Sequence, residues 1–163
     1  RMLEKFEPSS NIHLTLVGPM SPPNFESELI KLPGYHSVTL HDRLPWADAW
    51  NMAFGMRAGL LIFHPIPNHI QALPNKMFEY MMCGLPVVAS NFPLWKEIIE
   101  VNKCGICVNP LDIDEISNAI VYILTHPEEA RIMGENGRTA VREKYNWDIE
   151  GEKLCLLYET LFI

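Results

Sequence analysis

The sequence lacks a long hydrophobic run. A helix that crosses a bilayer needs about 20 apolar residues, whereas the longest apolar stretch, around Gly59 to Phe63, has the length of a β-strand. The first residues contain no signal-peptide core, and no Asn-x-Ser/Thr glycosylation site occurs in the sequence. We therefore expect a cytoplasmic protein, with at most a peripheral position at the inner face of the membrane.

Positive charge is also scarce. The sequence has 13 Lys and Arg residues against 20 Asp and Glu residues, which gives a formal net charge of -7. This balance disfavours a nucleic acid or an anionic bilayer as the main partner, because both recruit cations over an extended surface. An anionic ligand must therefore be held by a local arrangement of donors.

The four cysteines are too few and too scattered for a disulfide framework. Cys104 and Cys107 have the Cys-x-x-Cys spacing of zinc and redox sites. Two further zinc ligands are missing nearby, and residues 105–108 have the apolar pattern of a short buried strand. We expect a structural role for both cysteines.

Apolar strands alternate with helices along most of the chain. A length of 163 residues with 48% hydrophobic residues is sufficient for one domain, residues 1–163, with its own core. Strands that are apolar on both faces and separated by helices predict an α/β fold, a doubly wound parallel sheet of the Rossmann-like type. Strands are predicted at 12–18, 37–40, 59–63, 86–89 and 105–108. Helices are predicted at 21–32, 47–56, 74–82, 92–101 and 111–126. A further helix begins at 127 and is interrupted at Asn136-Gly137, and a last helix begins at 148.

The loop after the third predicted strand is the best candidate site, because ligands of doubly wound sheets bind beyond the carboxyl ends of the strands. This loop, residues 64–73, leads into Pro74, Asn75 and Lys76 at the start of a helix. We expect Pro74 at the first helical position, where its missing N–H is not needed. The free amides that follow, the helix dipole and Lys76 together favour a phosphate.

Glu79 lies three residues beyond Lys76 and four beyond Asn75, so the spacing predicts that all three fall near one helical face. Its carboxylate has the chemistry to accept two hydrogen bonds from a ribose diol. A carboxylate near a helix N-terminus is also common without any ligand, since it complements the dipole. The residues alone leave both interpretations open.

Two consecutive segments carry a family resemblance. Residues 73–81 (Leu-Pro-Asn-Lys-Met-Phe-Glu-Tyr-Met) and 83–90 (Cys-Gly-Leu-Pro-Val-Val-Ala-Ser) resemble the donor-site signature of GT-B glycosyltransferases, in particular the GT4-like group. Residues 105–110, Met133-Gly134 and Tyr145-Asn146-Trp147 are similar to later segments of the same family. The resemblance covers nearly the whole chain and is most specific between Pro74 and Ser90.

The resemblance implies one half of a GT-B glycosyltransferase, the C-terminal domain that binds a nucleotide-sugar donor. The enzyme would be a retaining hexosyltransferase of polysaccharide or glycolipid biosynthesis, working without a metal, and its glycan or lipid-linked acceptor would bind a missing N-terminal domain. By the same resemblance, Glu79 binds the ribose, Pro74, Asn75 and Lys76 line the diphosphate, and Arg43 lies near the base. His64 would contact the sugar, although an ordinary surface histidine is the simpler interpretation.

The sequence departs from the family pattern in two places. Eight residues before Glu79, where the family carries a second Glu, this chain has Gln71, which cannot act as an acid, base or nucleophile. The Gly-Lys phosphate loop of the family would lie upstream of Arg1, so we expect the chain alone to be inactive. Gln71 and Lys76 remain the candidates for contact with the reacting groups. A nucleotide-binding module without catalysis, or a GT-B sugar epimerase, are the alternatives.

Three further features yield structural expectations. Trp46 and Trp50 are four residues apart and predict a packing stripe, and Trp95 is predicted to be buried. Residues 148–163 resemble the family's C-terminal crossover helix and hold more apolar residues than one narrow stripe needs. We expect an exposed patch around Leu157, Leu161 and Phe162, covered by self-association or left frayed.

Overall fold

The computed structural model describes residues 12–22 and 24–161. Strands and helices alternate through the first two thirds of the chain, and helices alone follow. The elements are β1 (Leu14–Val17), α1 (Phe25–Leu29), β2 (Val38–His41), α2 (Trp46–Phe54), β3 (Gly59–Leu61), α3 (Pro67–Gln71), α4 (Asn75–Met82), β4 (Val87–Ser90), α5 (Pro93–Asn102), β5 (Gly105–Val108), α6 (Ile113–Thr125), α7 (Pro127–Glu143) and α8 (Trp147–Leu161).

All described strand pairs are parallel, which confirms the predicted Rossmann-like α/β class. Hydrogen bonds join the strands into two sheets rather than one. β1 pairs with β2, with Leu14 opposite Val38, and the second sheet has the order β3-β4-β5. Val87 of β4 lies opposite Gly59 on one side and Gly105 on the other.

The core surrounds β4, whose four residues are all buried. Val87 and Ala89 pack on one face with side chains of α4 and α5, including Met77 and Trp95. Val88 packs on the opposite face with Ile120 and Ile123 of α6. Because successive side chains of a strand alternate between faces, a strand covered on both sides must be apolar throughout. The prediction from the apolar run is confirmed.

Helix α7 corrects one expectation. Asn136-Gly137 was expected to interrupt a helix, but α7 is continuous from Pro127 to Glu143. Gly134 and Gly137 are buried where α7 packs on α4. A Cβ on Gly134 would overlap the carbonyl of Gly84, and one on Gly137 would lie 3.3 Å from the Cα of Met81. These glycines permit a close helix approach, and the packing outweighs their poor helix propensity.

The region before β2 and the loop after β3 also differ from the prediction. The expected helix at 21–32 is reduced to α1, and a 3₁₀ turn over Pro33–Ser37 leads into β2. The expected loop at 64–73 contains the short helix α3, with Pro67 in its first turn. Proline suits that position because its fixed φ is helical and its missing N–H is not needed. Gln71 therefore ends a helix.

Helix α8 has no buried residue in its described length. Trp147 is 77% exposed, Leu157 56% and Leu161 68%, so the described part of the expected apolar patch is present. Phe162, the third expected member, lies outside the described residues, as does Ile163. No helix in the described ranges combines the length and the apolar character needed to span a membrane.

Candidate functional site

Two contacts fix the segment between β3 and α4, one within the segment and one from α5. The imidazole Nδ1 of His69, in α3, lies 2.8 Å from the carbonyl oxygen of His64. The indole N–H of Trp95, in α5, donates to the carbonyl of Ala72 at 2.6 Å. Trp95 is fully buried, as predicted. The chain that enters α4 is therefore anchored to the core.

The N-terminus of α4 begins one residue later than expected. Pro74 occupies the N-cap position with an extended backbone (φ -75°, ψ 133°), and the helix begins at Asn75. The carbonyl of Pro74 accepts the N–H of Met77 at 3.0 Å. The N–H groups of Asn75 and Lys76 lie in the first turn, where a helix supplies no acceptor. Together with the helix dipole, they form a donor arrangement suited to an anion.

Asn75 and Glu79 line one pocket of about 620 Å³. They are four residues apart on α4 and so occupy one face of the helix. The other lining residues, most of them apolar or aromatic, come from five helices, from the residue before Pro74 and from the turn between α7 and α8: Trp50, Leu73, Phe78, Met82, Ile98, Val141, Tyr145, Asn146, Trp147 and Glu150.

The other candidate residues lie outside this lining. Lys76 and Gln71 are exposed, and Pro74 is half-buried. His64 is exposed and contributes its carbonyl to the loop contact with His69. Arg43 follows β2, is exposed, and its backbone N–H donates to the Asp42 carboxylate at 2.7 Å. The structure therefore brings Asn75 and Glu79 together, and Pro74 and Lys76 are next to Asn75 in the chain. Gln71, His64 and Arg43 lie at separate positions.

Burial raises the pKa values of three ionisable groups, the phenol of Tyr80 and the thiols of Cys104 and Cys107. Burial, followed by the nearby Glu79 carboxylate, raises the pKa of the Tyr80 phenol. Burial also raises the pKa of the Cys104 thiol to about 11 and that of Cys107 to about 12. Thiols with such pKa values are protonated at neutral pH, whereas metal binding and redox exchange require the thiolate. Both cysteines flank or occupy β5, which supports the structural role expected for them.

The tryptophans of the pocket were not predicted to lie near Glu79. Trp50 reaches it from α2, and Trp147 from the start of α8. The signal in the sequence was the Tyr145-Asn146-Trp147 segment, whose position relative to α4 is not visible in a linear pattern. Trp46 contacts Trp50 with a ring-centroid distance of 4.9 Å. At 68% exposure, however, Trp46 lies at the surface, so the expected packing stripe is incomplete.

Comparison with known proteins decides the family. The family model described as Glycosyl transferases group 1 matches residues 1–126. The chain belongs to this family.

Among its relatives, the GDP-mannose-dependent alpha-(1-6)-phosphatidylinositol monomannoside mannosyltransferase of Mycolicibacterium smegmatis is 31% identical over 128 residues, 78% of this chain and 29% of the relative. The MMP alpha-(1->4)-mannosyltransferase of Mycolicibacterium hassiacum is 30% identical over 95 residues, 58% of this chain and 23% of the relative.

Two solved structures have the same fold as this chain. Sucrose-phosphate synthase from Thermosynechococcus elongatus is 25% identical, with a TM-score of 0.79 over 92% of this chain and 38% of its own. Anabaena Alr3699/HepE, solved in complex with UDP, is 16% identical, with a TM-score of 0.82 over 98% of this chain and 43% of its own. The chain thus corresponds to the C-terminal domain of a GT-B glycosyltransferase and spans less than half the length of these proteins.

Proposed function

We propose that this chain is the donor-binding domain of a retaining hexosyltransferase that uses a nucleotide-sugar. The observation that carries the proposal is the joint position of Asn75 and Glu79 in one pocket beside the N-terminus of α4. The helix start presents amide donors to the diphosphate, and the Glu79 carboxylate accepts the ribose hydroxyls. The names of two relatives support a nucleotide-bound donor: one is GDP-mannose-dependent and another was solved with UDP.

Transfer of the sugar develops negative charge on the departing diphosphate. The first amides of α4 and the ammonium group of Lys76, an exposed side chain in the same turn, stabilise such charge as it forms. Gln71 and His64 lie in the segment before α4 and supply polar contacts to the sugar, and Arg43 contacts the base. Neither α3 nor the loop around it contains a carboxylate. A covalent sugar intermediate on a residue at the position of Gln71 is therefore not part of the proposal.

The acceptor would meet the donor in a cleft that this chain forms together with a further domain. The mannosyltransferase relatives act, by their names, on phosphatidylinositol monomannosides or on MMP. A glycan or lipid-linked acceptor fits this range. A membrane-linked acceptor would place the protein at the inner face of the membrane without requiring a span of its own.

Two alternatives use the same fold. A module that binds nucleotides without catalysis is consistent with Gln71 in place of a carboxylate, and a GT-B sugar epimerase would need carboxylates in its cleft. The family match and the names of the relatives favour the transferase over both. Binding of a nucleoside diphosphate is common to all three, so its test comes first.

The test is a calorimetric or NMR titration of the chain with GDP, UDP and ADP, with and without a chelator. We expect weak binding of at least one nucleotide, unchanged by the chelator, with the largest amide shifts at residues 73–79. The Lys76→Met variant should bind more weakly, because it loses one cation near the phosphates. Absence of binding at millimolar concentration, or binding only when a divalent metal is present, would overturn the proposal.

A further inference from the structure

Trp95 combines complete burial with one polar contact, made by its indole N–H. Its ring is fully buried and contacts Phe63 at a centroid distance of 5.5 Å and Phe92 at 4.8 Å. Its indole N–H reaches out of this cluster to the carbonyl of Ala72 at 2.6 Å. Ala72 and Leu73 take part in no backbone–backbone bond outside helices and strands within residues 12–22 and 24–161. The indole is thus the anchor of this exposed stretch.

The bond fixes the orientation of a whole peptide group. The C=O of Ala72 and the N–H of Leu73 belong to one planar trans peptide, in which they point in opposite directions. Because the carbonyl points to the buried indole, the N–H of Leu73 points away from the core. Leu73 and Asn75 line the same pocket as Glu79. Since Pro74 between them has no N–H, Leu73 carries the last amide donor before α4.

We propose that Trp95 is a positioning residue for the diphosphate of the donor. Its indole holds the Ala72–Leu73 peptide so that the Leu73 N–H joins the first amides of α4 as a phosphate donor. Trp95 itself touches no ligand. The inference rests on the proposed function, because it assigns to α5 the support of the same nucleotide site.

The decisive variant is Trp95→Phe, which removes the indole N–H and keeps an aromatic ring. The wild-type chain and the variant are titrated with GDP and GMP, or with UDP and UMP if the wild type prefers uridine. We expect binding of the diphosphate to weaken about three- to tenfold, as for loss of one hydrogen bond, and binding of the monophosphate to change less than about twofold. The matched control is Ile99→Val, which loosens the packing of the same helix at a buried position without reaching the loop. It should leave the preference for the diphosphate unchanged.

The outcomes separate the two proposals. If the wild-type chain binds no nucleoside diphosphate, the proposed function fails and the role of Trp95 fails with it. If the wild type binds but Trp95→Phe keeps the preference for the diphosphate, only the role of Trp95 is wrong. Equal weakening of both nucleotides, as from general loosening, would also contradict it.

A second measurement does not depend on the folding of the variant. The chain has four tryptophans, hence four indole N–H signals in a ¹⁵N spectrum. The signal of Trp95 is assigned by elimination with Trp46→Phe, Trp50→Phe and Trp147→Phe. We expect the Trp95 signal to shift, and its hydrogen exchange to slow at least about threefold, when the diphosphate binds. A Trp95 signal that is insensitive to a bound diphosphate would overturn the inference.

Discussion

The hydroxyl of Ser90 forms hydrogen bonds with both the N–H and the carbonyl of Phe63. It donates to the Phe63 carbonyl at 3.0 Å and accepts the Phe63 N–H at 2.8 Å. Ser90 is the last residue of β4, and Phe63 lies two residues beyond the end of β3. The hydroxyl therefore extends the contact between the two strands to the point where the loop toward α4 begins.

Replacement of Ser90 by Ala should destabilise the protein. The substitution leaves the N–H and the carbonyl of the half-buried Phe63 without their partner, which costs about 1–3 kcal/mol. The matched control is Ser117→Ala, since the Ser117 hydroxyl is buried and has no hydrogen-bond partner in the structure. That variant should be neutral or slightly more stable. Urea unfolding of both variants tests the pair, and equal costs would contradict the assignment of the Ser90 bonds.

Replacement of Glu79 by Gln should weaken nucleotide binding more than folding. A hydrogen bond to a charged group contributes about 1.5–3 kcal/mol, whereas an exposed contact with the helix dipole contributes about 0.3–1 kcal/mol. Glu79 lies in the second turn of α4, beyond the strongest part of the dipole. Glu150→Gln, in the same pocket on α8, is the control for a change of charge. Thermal unfolding measured beside the titration decides the matter: a large loss of stability with unchanged affinity would make Glu79 structural.

A methyl group at Gly134 should destabilise the fold, whereas one at Gly151 should stabilise it. The Cβ of Gly134→Ala would overlap the Gly84 carbonyl, and α7 would have to move from α4 at a cost of about 1–3 kcal/mol. Gly151, in the middle of α8, has nothing within 4 Å of the added atom. There Ala should gain about 0.5–1 kcal/mol of helix stability. Urea unfolding of the two variants should give shifts of opposite sign; a neutral Gly134→Ala would contradict the close helix contact.

Stability should fall as the pH rises above about 9. The ordinary thiol pKa is 9.0, and the native values are about 11 for Cys104 and about 12 for Cys107. Between these values the unfolded chain loses thiol protons that the native chain retains. Each pH unit therefore removes up to about 1.4 kcal/mol of stability through the buried Cys104 and less through the partly exposed Cys107. Below pH 9 both states are protonated and the effect vanishes.

The measurement for the thiols is urea unfolding at pH 8, 9 and 10 under reducing conditions. The Cys104→Ala/Cys107→Ala variant should lose less stability between pH 9 and 10 than the wild type, because other groups that titrate in this range are the same in both. Parallel pH profiles of the two proteins would show that the thiols are accessible in the native state.

The chain should self-associate through α8. Leu157 and Leu161 are 56% and 68% exposed on a helix without a buried residue, and such surfaces are unusual on monomers. Leu157→Lys/Leu161→Lys should lower the mass measured by light scattering. Val101→Lys is the control, since Val101 is also 68% exposed but lies on α5. A wild-type chain that is monomeric at all concentrations tested would contradict the prediction.

Local sequence patterns determined the order of the elements and identified the segment before α4 as the candidate site. β5 was predicted with its observed bounds, Gly105–Val108. The continuous apolar pattern of β4 predicted that helices pack on both of its faces, and the structure confirms this. The segment from Pro74 to Glu79 identified the family before any geometry was known. These features are encoded within one element or one loop, where neighbours in the chain are also neighbours in space.

Tertiary structure decided which elements meet and how closely. The Asn136-Gly137 pair predicted an interruption of the helix, but α7 is continuous because its glycines allow close packing on α4. Trp50 and Trp147 lie far apart in the sequence and line the pocket of Glu79 together. The bond from Trp95 to Ala72 joins residues 23 positions apart. Such contacts depend on the relative placement of helices across a core, and helical periodicity within one segment carries no information about the partner that will face it.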